Sequence, residues 1–250
     1  MRPWFLTVLY TVIALIFSAG CGGGRMNQEA VQPRFVSQSV IYDSDDPAIW
    51  IDPGNPAQSL IIGTDKEEDG ALFVYNLKGE IVRDLTVTGL KRPNNVDVEY
   101  GLMLDGQRTD IAVCTERLAD RIRVFSLPGM ESVDGGGIPV FAGEAQRAPM
   151  GIALYRRPSD GAVYAIVSRK TGPADGYLFQ YLLEDNGKGL VKGSLVRTFG
   201  KWSGKKEIEA IAVDDTLGYV YYSDETYGVR KYHADPDHPD ASKELALFGT

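Results

Sequence analysis

What most limits the folds open to this 250-residue chain is a repeat written into it residue by residue. Four apolar runs each end in Ser or Thr followed by charge. They are Ile61-Ile62-Gly63-Thr64-Asp65-Lys66, Ile111-Ala112-Val113-Cys114-Thr115-Glu116-Arg117, Ala165-Ile166-Val167-Ser168-Arg169-Lys170 and Val220-Tyr221-Tyr222-Ser223-Asp224-Glu225. The hydroxyl residues Thr64, Thr115, Ser168 and Ser223 stand 51, 53 and 55 residues apart. Self-similarity at this period means that one supersecondary unit stacks against copies of itself to bury its apolar faces.

Each unit reads as strands. After the hydroxyl come a turn and an alternating aromatic segment: Leu72 to Tyr75, Ile122 to Phe125, Leu178 to Tyr181 and Val229 to Tyr232. Before the run lies a shorter apolar segment: Ala48 to Ile51, Val96 to Val98, Ile152 to Leu154 and Ile211 to Val213. Period-two alternation bounded by Gly, Pro and Asp marks strands. A fourth, outer strand is expected at Ile81 to Val87, Gly137 to Ala142, Gly193 to Phe199 and Lys243 to Phe248. The reading is therefore an all-β chain, a β-propeller of four-stranded blades with about four blades present. A β-sandwich would not explain the period.

The ends and the charge narrow the rest. Phe5 to Phe17 is a nearly unbroken apolar run after Arg2, followed by Ser18-Ala19-Gly20-Cys21. That order is expected of a lipoprotein-type signal over 1–20, with Cys21 as the lipidated residue and an uncleaved anchor as the alternative. Residues 21–36 read as a flexible tether and 37–250 as the propeller. The expected location is exported and lipid-anchored to a bacterial cell envelope, or periplasmic or extracellular if cleaved differently, with membrane contact only through that anchor. After Cys21 only Cys114 remains, in an apolar strand, so it reads as a core residue. The net charge of −8 argues against nucleic acid, which needs a basic surface. Excess carboxylate suits either solubility or hard cations such as calcium.

Inner strands face the propeller axis, so matching positions converge there. Asp45-Asp46 precede the first inner strand, Asn94-Asn95 and Asp97 belong to the second, and Glu207 and Glu209 to the fourth. Carboxylates meeting at one mouth repel unless a cation neutralises them. Lys66, Arg117 and Lys170 would suit a phosphorylated ligand. Structural readings stand beside these. Asp46-Pro47 also opens turns, and Asp65, Glu116 and Asp224 can be hairpin-end charges. Asp214-Asp215 and Asp235 to Asp240 read as solvated loops. His233 and His238 lack ligand spacing, and no Gly-x-Ser-x-Gly elbow or phosphate loop is present.

The run Asp45-Asp46-Pro47-Ala48-Ile49-Trp50-Ile51-Asp52-Pro53 closely resembles the opening motif of the bacterial β-propeller phytases. The similarity continues through Gly63-Thr64-Asp65-Lys66, Leu72 to Gly79, Asn94-Asn95-Val96-Asp97, Met150-Gly151, Lys170 and Glu209 to Asp215, covering about residues 35 to 250. The resemblance implies a six-bladed propeller with calcium ions in and above its channel. It implies hydrolysis of phytate by attack of a metal-bound water without a phosphoenzyme, one subsite cleaving while a neighbour holds an adjacent phosphate. By motif position Asp45, Asp46, Asp97, Glu209 and Asp224 resemble calcium ligands, and Lys66, Arg117, Lys170 and Asn95 resemble substrate-binding residues. Asp46, Lys66, Arg117, Lys170 and Glu209 then form the catalytic set, in a monomer whose partner is phytate or another phosphorylated small molecule. Met150 stands where the family carries a tyrosine and Glu67 where it carries a second lysine, and the family's later blades are expected beyond Thr250. A non-catalytic surface propeller and a phosphodiesterase- or lactonase-like propeller are the competing readings.

Overall fold

A computed structural model describes residues 31–250 of the chain. The expected signal and the lipidation residue Cys21 lie outside the described residues. Phe35–Thr250 forms one compact unit, built of four antiparallel sheets in chain order. The first is β1 (Ser44–Trp50), β2 (Leu60–Asp65), β3 (Gly70–Tyr75) and β4 (Val87–Leu90). The second is β5 (Pro93–Leu104), β6 (Gln107–Glu116), β7 (Arg121–Leu127) and β8 (Glu131–Ser132), with β9 (Ile138–Pro139) also paired to β7. The third is β10 (Pro149–Arg156), β11 (Val163–Arg169), β12 (Asp175–Asp185) and β13 (Val191–Lys201). The fourth is β14 (Ile211–Asp214), β15 (Tyr219–Asp224), β16 (Gly228–His233) and β17 (Ala246–Phe248). These are propeller blades, and each inner strand overlaps the apolar segment expected there, the first three starting three or four residues earlier and only the fourth at the expected Ile211.

The outer strands differ from expectation in two blades. In the first, a 3-10 turn at Arg83–Leu85 interrupts the chain, so only an isolated bridge forms at Ile81 and the strand proper starts at Val87. In the second, the outer strand is split in two. Met130 takes a left-handed backbone (φ 55°) and Gly135, Gly136 and Gly137 are all at positive φ, which breaks the ladder between β8 and β9.

Alternation along the strands gives each blade two apolar faces, and these fill the spaces between blades. Trp50, Ile62, Leu72 and Val74 meet Val96, Ala112, Cys114 and Phe125 between the first and second. Ile111, Val113 and Val124 meet Ile152, Leu154 and Val167 between the second and third. Tyr164, Ile166 and Phe199 meet Val220, Tyr222 and Tyr232 between the third and fourth. Cys114 is fully buried, and burial pushes its thiol pKa up, in keeping with a core role.

The repeated hydroxyls tie the blades together at the inner strands. Thr64 Oγ1 accepts from the Asp46 N–H of its own blade (2.9 Å) and donates to the Asn94 carbonyl of the next (3.3 Å). Thr115 Oγ1 accepts from Asn95 N–H (3.1 Å) and donates to Met150 O (2.7 Å). Ser168 Oγ accepts from Gly151 N–H (2.8 Å) and donates to Ile208 O. One hydroxyl thus satisfies a donor in one blade and an acceptor in its neighbour, both buried groups that would otherwise be costly to leave unpaired.

Thr115→Val keeps the shape of Thr115 but orphans Asn95 N–H and Met150 O. Chemical denaturation should show a loss of about 2–4 kcal/mol, against about 1 kcal/mol for Thr115→Ser, which keeps the hydroxyl. Equal losses for the two variants would contradict the clasp.

Candidate functional site at the channel mouth

Pairing register explains why the charged pairs gather. Between Ser44↔Asp65 and Pro47↔Gly63 the first strand carries a bulge, so Asp45-Asp46 lie opposite the single residue Thr64. The same bulge sets Asn94-Asn95 opposite Thr115 and Met150-Gly151 opposite Ser168. In the fourth blade Ile211↔Tyr222 leaves Glu209-Ala210 opposite Ser223, whose N–H donates to Ala210 O. Bulges bend a strand and re-aim its side chains, and they do so at the same place in the first three blades, while the fourth inner strand starts its ladder only at Ile211. Gly151 is fixed by close approach, because a Cβ there would sit 2.0 Å from the Glu209 carbonyl oxygen.

The two residues after each hydroxyl divide the work. The first is buried in every copy: Asp65, Glu116, Arg169 and Asp224 are each at most 1% exposed. Asp65 accepts the N–H groups of Ile41, Tyr42 and Asp43. Glu116 accepts Lys91 N–H and pairs with Arg121. Arg169 pairs with Glu144 among the rings of Phe141, Tyr177 and Phe179. Asp224 accepts from Ser203 N–H and Oγ and from the guanidinium of Arg230. Both Asp224 oxygens are engaged away from the bulge residues, so the structure does not bring this candidate ligand to the mouth.

The second residues, Lys66, Arg117 and Lys170, are those left near it, and Glu225 holds the same register in the fourth blade. Lys66 Nζ pairs with Asp45 at 2.9 Å, both partly exposed. Lys170 pairs with Glu207, and that bond holds the Glu207 carboxyl below its usual range. Arg117 is half-buried, and burial, then the neighbouring charge of Arg92, lowers its pKa, while Glu209 and Glu207 act in the opposite sense. Arg92 went unnoticed in the sequence. Its backbone is left-handed (φ 58°), and its carbonyl accepts the Arg117 N–H at 3.1 Å. Among the described residues neither guanidinium has a carboxylate within ion-pair distance. Two unpaired cations held side by side are poised for an anion.

Below them a cavity of about 420 Å³ is lined by Asp46, Asn95, Asp97, Glu99, Ala210 and Asp215, among others. Asp46 accepts Val96 N–H at 2.9 Å. Burial raises its pKa, opposed by that bond and by the Asn95 side chain and reinforced by the charges of Asp45 and Glu209. Asp97 accepts Leu154 N–H (2.7 Å) and Val98 N–H (2.8 Å), and burial pushes it up to about 6. Glu99 and Asp215 share a hydrogen bond, and burial raises both. Asp215 also accepts Arg156 N–H at 3.0 Å, so Asp46, Asp97 and Asp215 each cap a backbone N–H of an adjoining blade. Asp215 is thus a cavity residue rather than a solvated loop charge.

The donors at the mouth are all oxygens, from Asp46, Glu209, Asn94 and Asn95, and the Asn94 Oδ1 is buried without a partner. That chemistry fits a hard cation, shared between carboxylate and neutral oxygens. Among the described residues no three Asp, Glu, His or Cys side chains converge closely enough to hold an ion alone. Met150 is fully buried and offers the mouth no oxygen.

Comparison with known proteins places this geometry. The Phytase family model matches residues 30–248. The 3-phytase of Bacillus subtilis (strain 168) is 32% identical over 199 residues, covering 77% of this chain and 48% of that protein. The chain therefore spans about half the length of the curated relative it matches. Among solved structures, Kuenenia stuttgartiensis hydrazine synthase aligns with a TM-score of 0.39 at 11% identity, over 77% of this chain and 65% of that one. A Synechocystis apocarotenoid oxygenase aligns with a TM-score of 0.34 at 10% identity, over 83% and 50%.

The cavity carboxyls set a pH dependence. Asp97 binds its proton more tightly folded than unfolded, about 6 against 3.8, and Glu99 shifts the same way. Between those values the folded state holds more protons, so stability falls as pH rises from about 4 to above 6. Thermal melting in chelator should show Tm falling across that range, and Glu99→Gln should flatten its upper part. A Tm that rises throughout would contradict these assignments.

Proposed function

Because the chain belongs to the Phytase family, we propose that it is a calcium-dependent phosphomonoester hydrolase that releases phosphate from phytate, myo-inositol hexakisphosphate. The observation that carries this reading is the unpaired Arg92–Arg117 couple standing beside Glu207 and Glu209. Cations and oxygen ligands at one mouth are what a phosphoryl group bound together with a divalent ion requires.

In this reading Asp46 and Glu209 would hold calcium, with Asn95 as a neutral neighbour. When bound, calcium would supply charge that stabilises the negative charge gathering on phosphoryl oxygens. Arg117 and Arg92 orient one phosphate, and two donor forks side by side suit its oxygens. Lys66 and Lys170 sit in ion pairs with Asp45 and Glu207. A polyanion draws each ammonium toward itself and frees the carboxylate it leaves, so substrate and calcium sites fill together. Asp97, buried deeper and capping Leu154 N–H, sets the spacing of the second and third blades beneath the ligands.

A second reading is favoured by Met150, whose buried thioether stands where the resemblance expects a tyrosine. It makes the chain a non-catalytic propeller that binds phosphorylated ligands.

Release of inorganic phosphate from calcium-phytate separates the two. The hydrolase reading expects release that chelator abolishes and Asp46→Asn suppresses. Arg117→Met should raise KM about 10-fold or more, the loss of a charge-assisted hydrogen bond. Phytate binding with no phosphate release would instead establish the non-catalytic reading.

A further inference from the structure

Asn94 is fully buried, yet its side chain spans two blades that do not share a sheet. Its Nδ2 donates to Asn95 Oδ1 at 2.8 Å and to Glu209 Oε1 at 3.2 Å. Asn95 in turn hydrogen-bonds the Asp46 carboxylate. The result is an amide relay from Asp46 in the first blade, through the bulge of the second, to Glu209 in the fourth. The backbone at Asn94 is pinned as well, since its carbonyl receives the Thr64 hydroxyl. Both amide protons of Asn94 are thus spent on the two routes, and its Oδ1 has no partner.

We infer that Asn94 is a positioning residue that fixes Glu209 and Asp46 at one separation, so that the two carboxylates bind a single divalent cation. This rests on the proposed assignment of those carboxylates as calcium ligands, and adds a residue to it. Three features carry it. A buried amide with a lone acceptor is an expensive arrangement for a fold to keep, and an apolar residue of similar size would cost less at that place. Glu209 lies just before β14, outside the ladder of the last described blade, and the Asn94 amide ties its carboxylate to the second blade and, through Asn95, to Asp46. An amide is also the group suited to this task. It donates to a carboxylate without neutralising it, whereas Lys or Arg would compete with the metal for the same charge.

The test is calcium binding by the full chain, measured by titration calorimetry and by the calcium-induced rise in Tm, in four forms: wild type, Asn94→Leu, Glu209→Gln and the double variant. Partners that orient a ligand are worth about 10- to 100-fold in metal affinity. Asn94→Leu should therefore weaken calcium binding by at least about 10-fold, and most of that effect should vanish in the Glu209→Gln background. A merely structural asparagine would lower Tm in chelator and leave the calcium affinity of the folded chain unchanged. An effect within about twofold, or one equally large in both backgrounds, overturns the inference while leaving the calcium reading intact. A wild-type chain that binds no calcium overturns both. If Asn94→Leu does not fold, Asn94→Ala enters the same cycle with the same expected outcomes.

Discussion

A single hydroxyl between two blades does more to organise this molecule than any other contact. Apolar packing between sheets is strong but not directional, and would tolerate sliding. The Thr64, Thr115 and Ser168 hydroxyls are directional, and each uses its lone pair and its proton on different blades. They sit opposite the bulges, where the inner strand loses regular pairing and its N–H groups need a partner. The clasp therefore permits the bulge, and the bulge presents the functional side chains. Without the hydroxyl, the two residues opposite it would return to the ladder or leave buried groups unpaired.

Below the clasps, carboxylates do a second structural task that constrains the chemistry. Asp46, Asp97 and Asp215 each accept a backbone N–H from an adjoining blade. The same groups crowd the cavity, where burial raises the proton affinity of all three and the charges of Asp46 and Asp215 add to it at Asp97. Stability and ligand binding thus oppose each other here. The folded chain carries repulsion that a cation would relieve, and relief by ligand binding appears as added stability. The unpaired guanidiniums of Arg92 and Arg117 mirror this with opposite sign.

Much of this was legible in the sequence because the repeat is strict where the physics is strict. The hydroxyl spacing located the clasps, and Asp45-Asp46, Asn94-Asn95 and Met150-Gly151 marked the bulges. The residues following the hydroxyl were less transparent. Asp65, Glu116 and Asp224 look like Lys66 and Arg117 in a string of charges, but alternation turns one residue inward and leaves the next at the mouth. Counting parity from the hydroxyl would have separated Asp224 from Lys170. Arg92 was invisible because its importance comes from a left-handed backbone and a neighbour 25 positions away, Arg117. The split outer strand of the second blade was missed for a related reason, since Gly135-Gly136-Gly137 reads equally as a loop or a strand end.

The claim on which the rest stands is that the clasps lock the bulges into the core. Native-state amide hydrogen exchange on the wild-type chain tests it directly. The account predicts that the N–H groups of Asp46, Asn95 and Gly151, each donated to a clasp hydroxyl, exchange as slowly as the buried centres of β6 and β11, through global unfolding. Exchange of these three amides at the rate of exposed loop positions, with the strand centres still protected, would contradict it.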